Sequence, residues 1–267
     1  MTRVVWLTDI HLNFVESEVV ERLLDGVHAA GPDAVLISGD IGESQNVKRY
    51  LSRFAARLAC PVYFVLGNHD FYHGSVPVVR ETIGRFCQGH ANLCYLTQQE
   101  QPIALTADVG LIGHDGWADA RFGDYLTSDV FLSDYALIKE LAGHYDLDRR
   151  PALQQLGDEA AACIRELLPK ALARYKHVIL LTHVPPFREA CWHEGRTSDD
   201  NWLPHFASKI MGDVILEIMA RHPARQLTVL CGHTHGDGET RPLANVEVLT
   251  GGAVYGAPAI TRIFDFA

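Results

Sequence analysis

Short apolar runs alternate with longer stretches of helical periodicity along the first part of the chain. The runs cover residues 4–7, 34–37 and 62–66, and between them apolar side chains recur at the three- and four-residue spacing of one helix face. Strands that are apolar throughout are typical of a parallel sheet covered by helices on both faces. The pattern therefore predicts a β–α–β–α order, with further buried strands at 178–181 and 227–230.

The middle of the chain is less regular. Residues 103–105 and 109–112 are predicted strands that could form a hairpin, whereas residues 115–150 contain many aspartates and aromatic residues without a clean period. Helical spacing returns at Leu153 and continues to Leu168. Pro169 is expected to kink or end that helix, because proline lacks a backbone donor.

The last third of the chain predicts a second sheet. A loop rich in proline and tryptophan spans residues 184–205, and apolar spacing predicts a helix over 210–219. Residues 246–249 and 260–264 are expected to complete this sheet. Since no internal repeat or low-complexity linker is found, we expect one domain over residues 1–267, with insertions at the substrate rim around 115–150 and 184–206.

The numbers of acidic and basic residues indicate which classes of binding partner the chain favours. The chain carries 33 acidic and 23 basic residues, a formal net charge of −10. A protein that binds the nucleic-acid backbone usually presents a basic face, so the balance argues against that partner. An anionic substrate remains compatible, because bound dications can reverse the field of an acidic site.

The six cysteines and the apolar runs predict a cytoplasmic protein that does not associate with a membrane. The cysteines are scattered and form no C-x-x-C pair, which favours reduced thiols over a disulfide framework. The apolar stretch at the N-terminus is too short for a signal peptide. The other runs are too short to span a bilayer. The oligomeric state is left open.

Five apolar runs end in polar residues that could bind metal ions. These candidates are Asp9, His11, Asp40, Asn68, His183, His233 and His235. Because ligands collect beyond the carboxyl ends of strands in open parallel sheets, we expect the seven side chains to share one pocket. Gly39, Gly67 and Gly232 directly precede candidates, where close approach of the backbone would leave no room for a side chain.

The donor types predict a pair of divalent transition-metal ions. Carboxylates, imidazoles and one amide suit manganese, iron or zinc, and the absence of thiolates argues against a structural zinc site. Seven donors are too many for one tetrahedral ion but suit two ions that share a carboxylate. Asp40, with two oxygens, is the expected bridge between ions about 3.5–4 Å apart.

The order of these blocks resembles the calcineurin-like metallophosphoesterases. That family's series of D-x-H, G-D, G-N-H-D, a lone H and G-H-x-H is matched at residues 9–11, 39–40, 67–70, 183 and 232–235. The resemblance implies an α/β fold, a four-layer αββα sandwich of two mixed β-sheets. It also implies that one ion is held by Asp9, His11, Asp40 and His235, and the other by Asp40, Asn68, His183 and His233.

The implied chemistry is hydrolysis of a phosphoric ester. A hydroxide that bridges the metals would attack phosphorus, since metals depress the pKa of bound water. His69 is left over from metal binding and is expected to protonate the departing oxygen, and Asp70 to orient and charge-stabilise that imidazole. The expected substrate is a small-molecule phosphomonoester or phosphodiester, contacted by Asn68 and His69.

Substrate choice is expected to come from the two irregular segments. Arg121 could grip a phosphate oxygen, and aromatic residues could stack on a base or ring. The rim candidates beside it are Trp117, Asp119, Phe122, Tyr125, Phe187, Arg188, Trp192 and Trp202. A solvent-facing loop whose aromatics merely pack is an equally weighted alternative. His73, His114 and His193 could face the pocket, whereas His205 is expected at the surface.

Three alternative functions stay open: a nuclease, a protein phosphatase of the same fold and a non-catalytic scaffold. Serine/threonine protein phosphatases typically use an acidic-Arg-Gly element after G-D and a G-N-H-E block, but this chain has Ile41-Gly42-Glu43 and Asp70. Purple acid phosphatases place a metal-binding tyrosine where this chain has Glu43. A scaffold would be expected to lose ligands, and this chain retains every one of them.

Overall fold

The computed structural model describes residues 1–267, which form thirteen strands and seven α-helices. The strands are β1 (Thr2–Leu7), β2 (Ala34–Ser38), β3 (Val62–Val65), β4 (Leu93–Tyr95), β5 (Ile103–Ala104), β6 (Val109–Gly113), β7 (His177–Leu181), β8 (Trp192–His193), β9 (Arg196–Thr197), β10 (Gln226–Cys231), β11 (Gly238–Leu243), β12 (Val246–Thr250) and β13 (Arg262–Phe266). The helices are α1 (Ser17–Ala29), α2 (Val47–Arg57), α3 (Val76–Cys87), α4 (Asp134–Leu137), α5 (Asp146–Arg174), α6 (Leu203–Phe206) and α7 (Lys209–Met219). No helix is both long enough and apolar enough to cross a membrane.

The strands form two large sheets and one short hairpin. The first sheet has the order β13-β1-β2-β3-β4, in which only β13 runs antiparallel to its neighbour. The second has the order β11-β12-β10-β7-β6-β5, with parallel inner pairs and an antiparallel pair at each edge. Both sheets are therefore mixed, and the predicted β–α–β–α start and the β5–β6 hairpin are confirmed.

The two sheets pack face to face, and helices cover their outer faces. Trp6 and Leu36 of the first sheet share one buried cluster with Ile179 and Leu230 of the second. Alternate residues of the first sheet point the other way and pack in a cluster with α1, α2 and α3. Helices α5 and α7 cover the outer face of the second sheet. This is the four-layer αββα arrangement that the resemblance implied.

Two expectations about the second half of the chain were wrong. Strand β13 joins the first sheet, with Thr2 opposite Phe266, because β11 already occupies the edge of β12. Pro169 was expected to kink or end helix α5, and the end is wrong, because the helix continues to Arg174. The proline removes one backbone donor, whereas Leu168, Ala171 and Leu172 around it are buried in the cluster under the second sheet. Helix α5 also begins inside the segment expected to be irregular.

Candidate metal centre

The carboxyl ends of β1, β2, β3, β7 and β10 meet at one edge of the sandwich, and the turns that follow them are unusual. Five of the seven candidate ligands have a backbone φ in the left-handed region, namely Asp9 (48°), His11 (39°), Asp40 (52°), His233 (70°) and His235 (60°). Residues other than glycine rarely adopt this region, and it persists where surrounding structure enforces it. Here the N–H of His11 donates to the Asp40 carbonyl at 2.9 Å, which fixes one turn against the next.

Two glycines leave the space that the carboxylates occupy. A Cβ at position 67 would lie 2.1 Å from Oδ1 of Asp40, and a Cβ at position 232 would lie 1.9 Å from Oδ2 of Asp9. Both distances are far inside van der Waals contact. The expected close approach at Gly67 and Gly232 is therefore confirmed, and it brings backbone from one strand end against a side chain from another.

The first group of donors comprises Asp9, His11, Asp40 and His235, whose ligand atoms all lie within 4.8 Å of one another. Nε2 of His11 is 3.1 Å from Nε2 of His235 and 3.7 Å from Oδ2 of Asp40. Nε2 of His235 is 3.4 Å from Oδ1 of Asp9. The four side chains converge on one point, so that they could hold one ion.

The second group shares Asp40 with the first. Oδ1 of Asn68 lies 2.9 Å from Nε2 of His183 and 3.0 Å from Nδ1 of His233. Nε2 of His183 is in turn 3.5 Å from Oδ1 of Asp40. One oxygen of Asp40 therefore faces each group, since Oδ2 is the atom nearest His11. The structure brings all seven predicted side chains together at one place.

Hydrogen bonds to the far side of two rings fix which nitrogen faces the centre. Nδ1–H of His183 donates to the carbonyl of Ser38 at 2.9 Å, which leaves Nε2 with its lone pair towards Asp40. Nε2–H of His233 donates to the carbonyl of His205 at 3.0 Å, which leaves Nδ1 towards Asn68. Metal-binding histidines commonly have such a partner on the other nitrogen.

The pKa shifts of the buried side chains at the centre favour bound positive charge. Burial, then the nearby carboxylates of Asp9 and Asp70, raise the pKa of Asp40 well above its usual range. Burial is also the main cause that lowers the pKa of His11 and of His233 to about 3, so both rings are neutral at pH 7. Neutral imidazoles have the free lone pairs that metal binding requires, and cations beside Asp40 would favour its charged carboxylate form. The residues therefore fit a pair of cations.

His69 lies beside this centre and is not one of its donors. Its ring stacks on Tyr72 at a centroid distance of 4.3 Å, and Nε2 lies 4.0 Å from Oδ2 of Asp40 and 3.4 Å from the hydroxyl of Tyr255. Burial, followed by the nearby His11 and His183, lowers the pKa of His69 to about 2. These contacts hold the ring at the edge of the centre.

The family model for calcineurin-like phosphoesterases matches residues 2–237. The chain belongs to the calcineurin-like phosphoesterase family. Membership places it in a class of metal-dependent phosphoesterases, and the match includes every candidate ligand.

Curated relatives are similar to segments of this chain. An uncharacterized metallophosphoesterase of Campylobacter jejuni is 28% identical over 141 residues, which cover 51% of this chain and 34% of that protein. A Danio rerio transmembrane protein with a metallophosphoesterase domain is 36% identical over 80 residues, 28% of this chain and 18% of that protein. The chain thus matches about a third or less of the length of these relatives.

Solved structures share its fold over nearly the whole length. A phosphopantetheinyl hydrolase from Mycobacterium tuberculosis superposes with a TM-score of 0.70 at 12% identity, covering 97% of this chain and 95% of that one. A dimetal phosphatase from Danio rerio superposes with a TM-score of 0.56 at 14% identity, covering 95% and 88%. At these identities the likeness concerns the fold.

Asp70 does not contact the ring of His69 in this chain. Its carboxylate is fully buried and accepts the backbone N–H groups of Ile41, Gly42 and Gly67 at 2.8–3.3 Å. Nδ1 of His69 has no hydrogen-bond partner. The expected contact was wrong, because the turn directs this carboxylate into the loop after β2. Asp70 instead fastens the turns that carry Asp40 and Asn68.

Arg121 lies outside the pocket, contrary to expectation. Its guanidinium pairs with Asp119 at 3.2 Å and with Asp158 of α5 at 2.8 Å. Asp119 is itself buried. The guanidinium of Arg121 lies between the carboxylates of Asp119 and Asp158, which hold it against α5. The other rim candidates also lie away from the pocket wall, and several are buried in clusters of their own, as with Trp117 against Phe71 and Tyr125 against His205.

The pocket at the centre has a volume of about 320 Å³, and residues that the sequence did not single out line much of it. These are Tyr72, Phe131, Leu132, Ser133, Asp134, Phe206 and Tyr255. His193 lines it as one of the histidines expected near the pocket, whereas His73 and His114 do not. His205 was expected at the surface but is buried, with its ring hydrogen-bonded to Tyr135 and Ser128. No periodicity or motif marks these positions.

Proposed function

We propose that this chain hydrolyses a phosphoric ester of a small molecule with two divalent transition-metal ions. The ligands would be Asp9, His11, Asp40 and His235 for one ion, and Asp40, Asn68, His183 and His233 for the other. Manganese, iron and zinc all accept these donors. The observation that carries the proposal is the position of Asp40, whose Oδ2 faces His11 and whose Oδ1 faces His183.

The two ions, when bound, supply an activated water and stabilise charge on the phosphoryl oxygens. The rest of the chemistry would fall to side chains. Asn68 would contact the substrate as well as an ion. The negative charge of a bound ester would favour protonation of His69, so that it could act as general acid for the departing oxygen. Asp70 would hold the turns that carry these groups.

A diester is the better candidate of the two ester classes. A monoester carries a second negative charge on its phosphoryl group, and no lysine or arginine lines the pocket to receive it. The same absence, together with the net charge of −10, argues against a nuclease that tracks a phosphate backbone. The retained ligands and His69 argue against a scaffold without catalysis.

The proposal is tested by elemental analysis of the purified protein together with turnover of p-nitrophenyl phosphate and bis(p-nitrophenyl) phosphate in the presence of Mn²⁺. We expect two transition-metal ions per chain and faster turnover of the bis-ester. A phosphopantetheinyl diester is a reasonable third substrate, given the structure of similar fold that is named for that activity. Absence of bound metal and of turnover on every ester would overturn the proposal and favour the scaffold.

A further inference from the structure

Asp134 is a buried carboxylate in the pocket wall that uses only one of its oxygens within the protein. The side-chain amide of Asn68 and the hydroxyl of Tyr72 both donate to Oδ1, each at 2.8 Å. Oδ2 accepts no hydrogen bond from another residue, although the side chain is only 4% exposed and lines the pocket. Because Oδ2 has no donor within the protein and is not among its enclosed unpaired atoms, it can accept a hydrogen bond from a molecule bound in the pocket.

The same carboxylate sets the direction of the Asn68 amide. Because Nδ2 of Asn68 donates to Asp134, Oδ1 is turned to the other side, towards His183 and His233. Asp134 is therefore in direct contact with Asn68, a member of the second group of donors. A group that binds at Oδ2 of Asp134 would belong to an ester whose phosphoryl group is at the centre.

Apolar and aromatic side chains form part of the remaining wall, which also includes Ser133, His193 and Thr234. Phe131 and Leu132 come from the same segment as Asp134, and Phe206 and Tyr255 come from two other parts of the chain. None of the 14 lining residues is a lysine or an arginine. A second anionic group on the substrate would thus lose its hydration beside a carboxylate and meet no cationic side chain.

We infer that this pocket selects esters with a single phosphoryl group, whose organic group brings an amine or hydroxyl donor to Oδ2 of Asp134, and that it rejects esters with a second anionic group. This inference rests on the proposed function, because it takes the phosphoryl group to be held at the two-metal centre. The cavity volume of about 320 Å³ suits a small organic group.

Two matched pairs of probes test the inference by binding. They are monoesters of methylphosphonic acid, whose alkoxide is a poor leaving group, so that equilibrium binding can be measured. The 2-aminoethyl ester is paired with the propyl ester, and the carboxymethyl ester with the isobutyl ester. Dissociation constants are measured by calorimetry on the full chain loaded with Mn²⁺, and turnover of bis(p-nitrophenyl) phosphate is measured in parallel.

We expect the aminoethyl ester to bind about tenfold more tightly than the propyl ester, as a hydrogen bond to a charged group requires. The carboxymethyl ester should bind at least about tenfold more weakly than the isobutyl ester. Asp134→Asn retains an acceptor for Asn68 and Tyr72 but removes the charge, so both ratios should fall towards one. Asp124→Asn is the matched control, because Asp124 is exposed in the same segment and its side chain makes no hydrogen bond. Its ratios should equal those of the wild type.

The outcomes separate the inference from the proposed function. Equal binding within both pairs in the wild type would overturn the inference, even if bis(p-nitrophenyl) phosphate is hydrolysed. Unchanged ratios in an Asp134→Asn protein that still binds Mn²⁺ would overturn the role of Asp134. Dissociation constants that differ within both pairs as expected, without any turnover of bis(p-nitrophenyl) phosphate, would support the inference about the pocket. They would contradict the proposed hydrolase.

Discussion

The backbone N–H of His233 donates to both carboxylate oxygens of Asp9, at 3.0 and 3.2 Å, across 224 positions of sequence. Asp9 follows β1 of the first sheet and His233 follows β10 of the second, so this contact joins the two sheets at the edge where the candidate ligands lie. Each group of donors also draws residues from both sheets. The centre therefore depends on the packing of the whole sandwich, and a small shift between the sheets would separate its ligands.

Replacement of Asp40 by asparagine should abolish the paired centre. The variant loses the only carboxylate that faces both groups, and we expect it to retain less metal than the wild type and to lose at least about 100-fold in turnover. Without metal, its melting temperature should equal or exceed that of the wild type, because burial and the carboxylates of Asp9 and Asp70 disfavour the charged form of Asp40.

Elemental analysis and thermal unfolding with EDTA or Mn²⁺ measure both effects. Mn²⁺ should raise the melting temperature of the wild type and leave that of Asp40→Asn nearly unchanged. An equal rise in both proteins would contradict the bridging position.

Replacement of His69 by asparagine should retain bound metal but lower turnover. General acid catalysis typically contributes about 10²–10⁴-fold, and an alkyl ester needs the proton more than a p-nitrophenyl ester does. The loss should therefore be larger on the alkyl ester, measured as kcat on both substrates. His28→Asn removes an exposed histidine of α1 and serves as control. Unchanged turnover of the alkyl ester in His69→Asn would exclude the acid role.

Replacement of Asp70 by alanine should destabilise the protein and not merely slow the reaction. The backbone N–H groups of Ile41, Gly42 and Gly67 would lose their buried acceptor, at about 1–3 kcal/mol for each group left unpaired. Urea unfolding measures the free energy, with Asp124→Ala as an exposed control. A normal unfolding free energy with a displaced pH profile of turnover would restore a role for Asp70 in orienting His69.

Replacement of Gly67 by alanine should disrupt the metal centre, because the added Cβ would lie 2.1 Å from Oδ1 of Asp40. Gly26→Ala is the matched control: Gly26 lies within helix α1, and a Cβ there meets no atom within 4 Å. We expect Gly26→Ala to stabilise the protein by about 0.5–1 kcal/mol. We expect Gly67→Ala to lower both metal content and melting temperature. Full metal occupancy in Gly67→Ala would show that the turn can relax around the new methyl group.

His114 should make the unfolding free energy depend on pH. Burial lowers its pKa to about 4, against the opposing effect of Asp115 and together with Arg80, whereas an unfolded histidine has a pKa of about 6.5. Between these values the unfolded chain binds more protons than the folded one. This contribution to stability is therefore present above about pH 6.5 and is lost as the pH falls towards 4, by about 2–3 kcal/mol.

The matching variant is His114→Asn, because asparagine can still accept the N–H of Gly116 that Nδ1 of His114 accepts but does not titrate. Urea unfolding in EDTA at pH 7 and pH 4.5 should show a smaller loss of stability in His114→Asn than in the wild type. His28→Asn should behave as the wild type. Equal losses in all three proteins would mean that His114 is solvated before global unfolding.

The pattern of the sequence predicted the parts of the fold that repeat locally. Apolar runs identified β1, β2, β3, β7 and β10, and the polar residues after them identified the seven candidate ligands. The pattern was wrong about β13, because the choice between two sheet edges depends on which edge β11 has already covered. It was also wrong about the end of α5 at Pro169, because the apolar contacts of that helix outweigh one lost hydrogen bond.

The sequence by itself determined the candidate donor set, since the types and order of Asp9, His11, Asp40 and the later blocks can be read without coordinates. Only the tertiary structure decided what surrounds that set: it turned Arg121 towards α5 and brought Asp134 to Asn68. Ligands at strand ends follow from the regular geometry of a parallel sheet. The course of the irregular segments follows instead from contacts between residues far apart in sequence, which have no local period to reveal them.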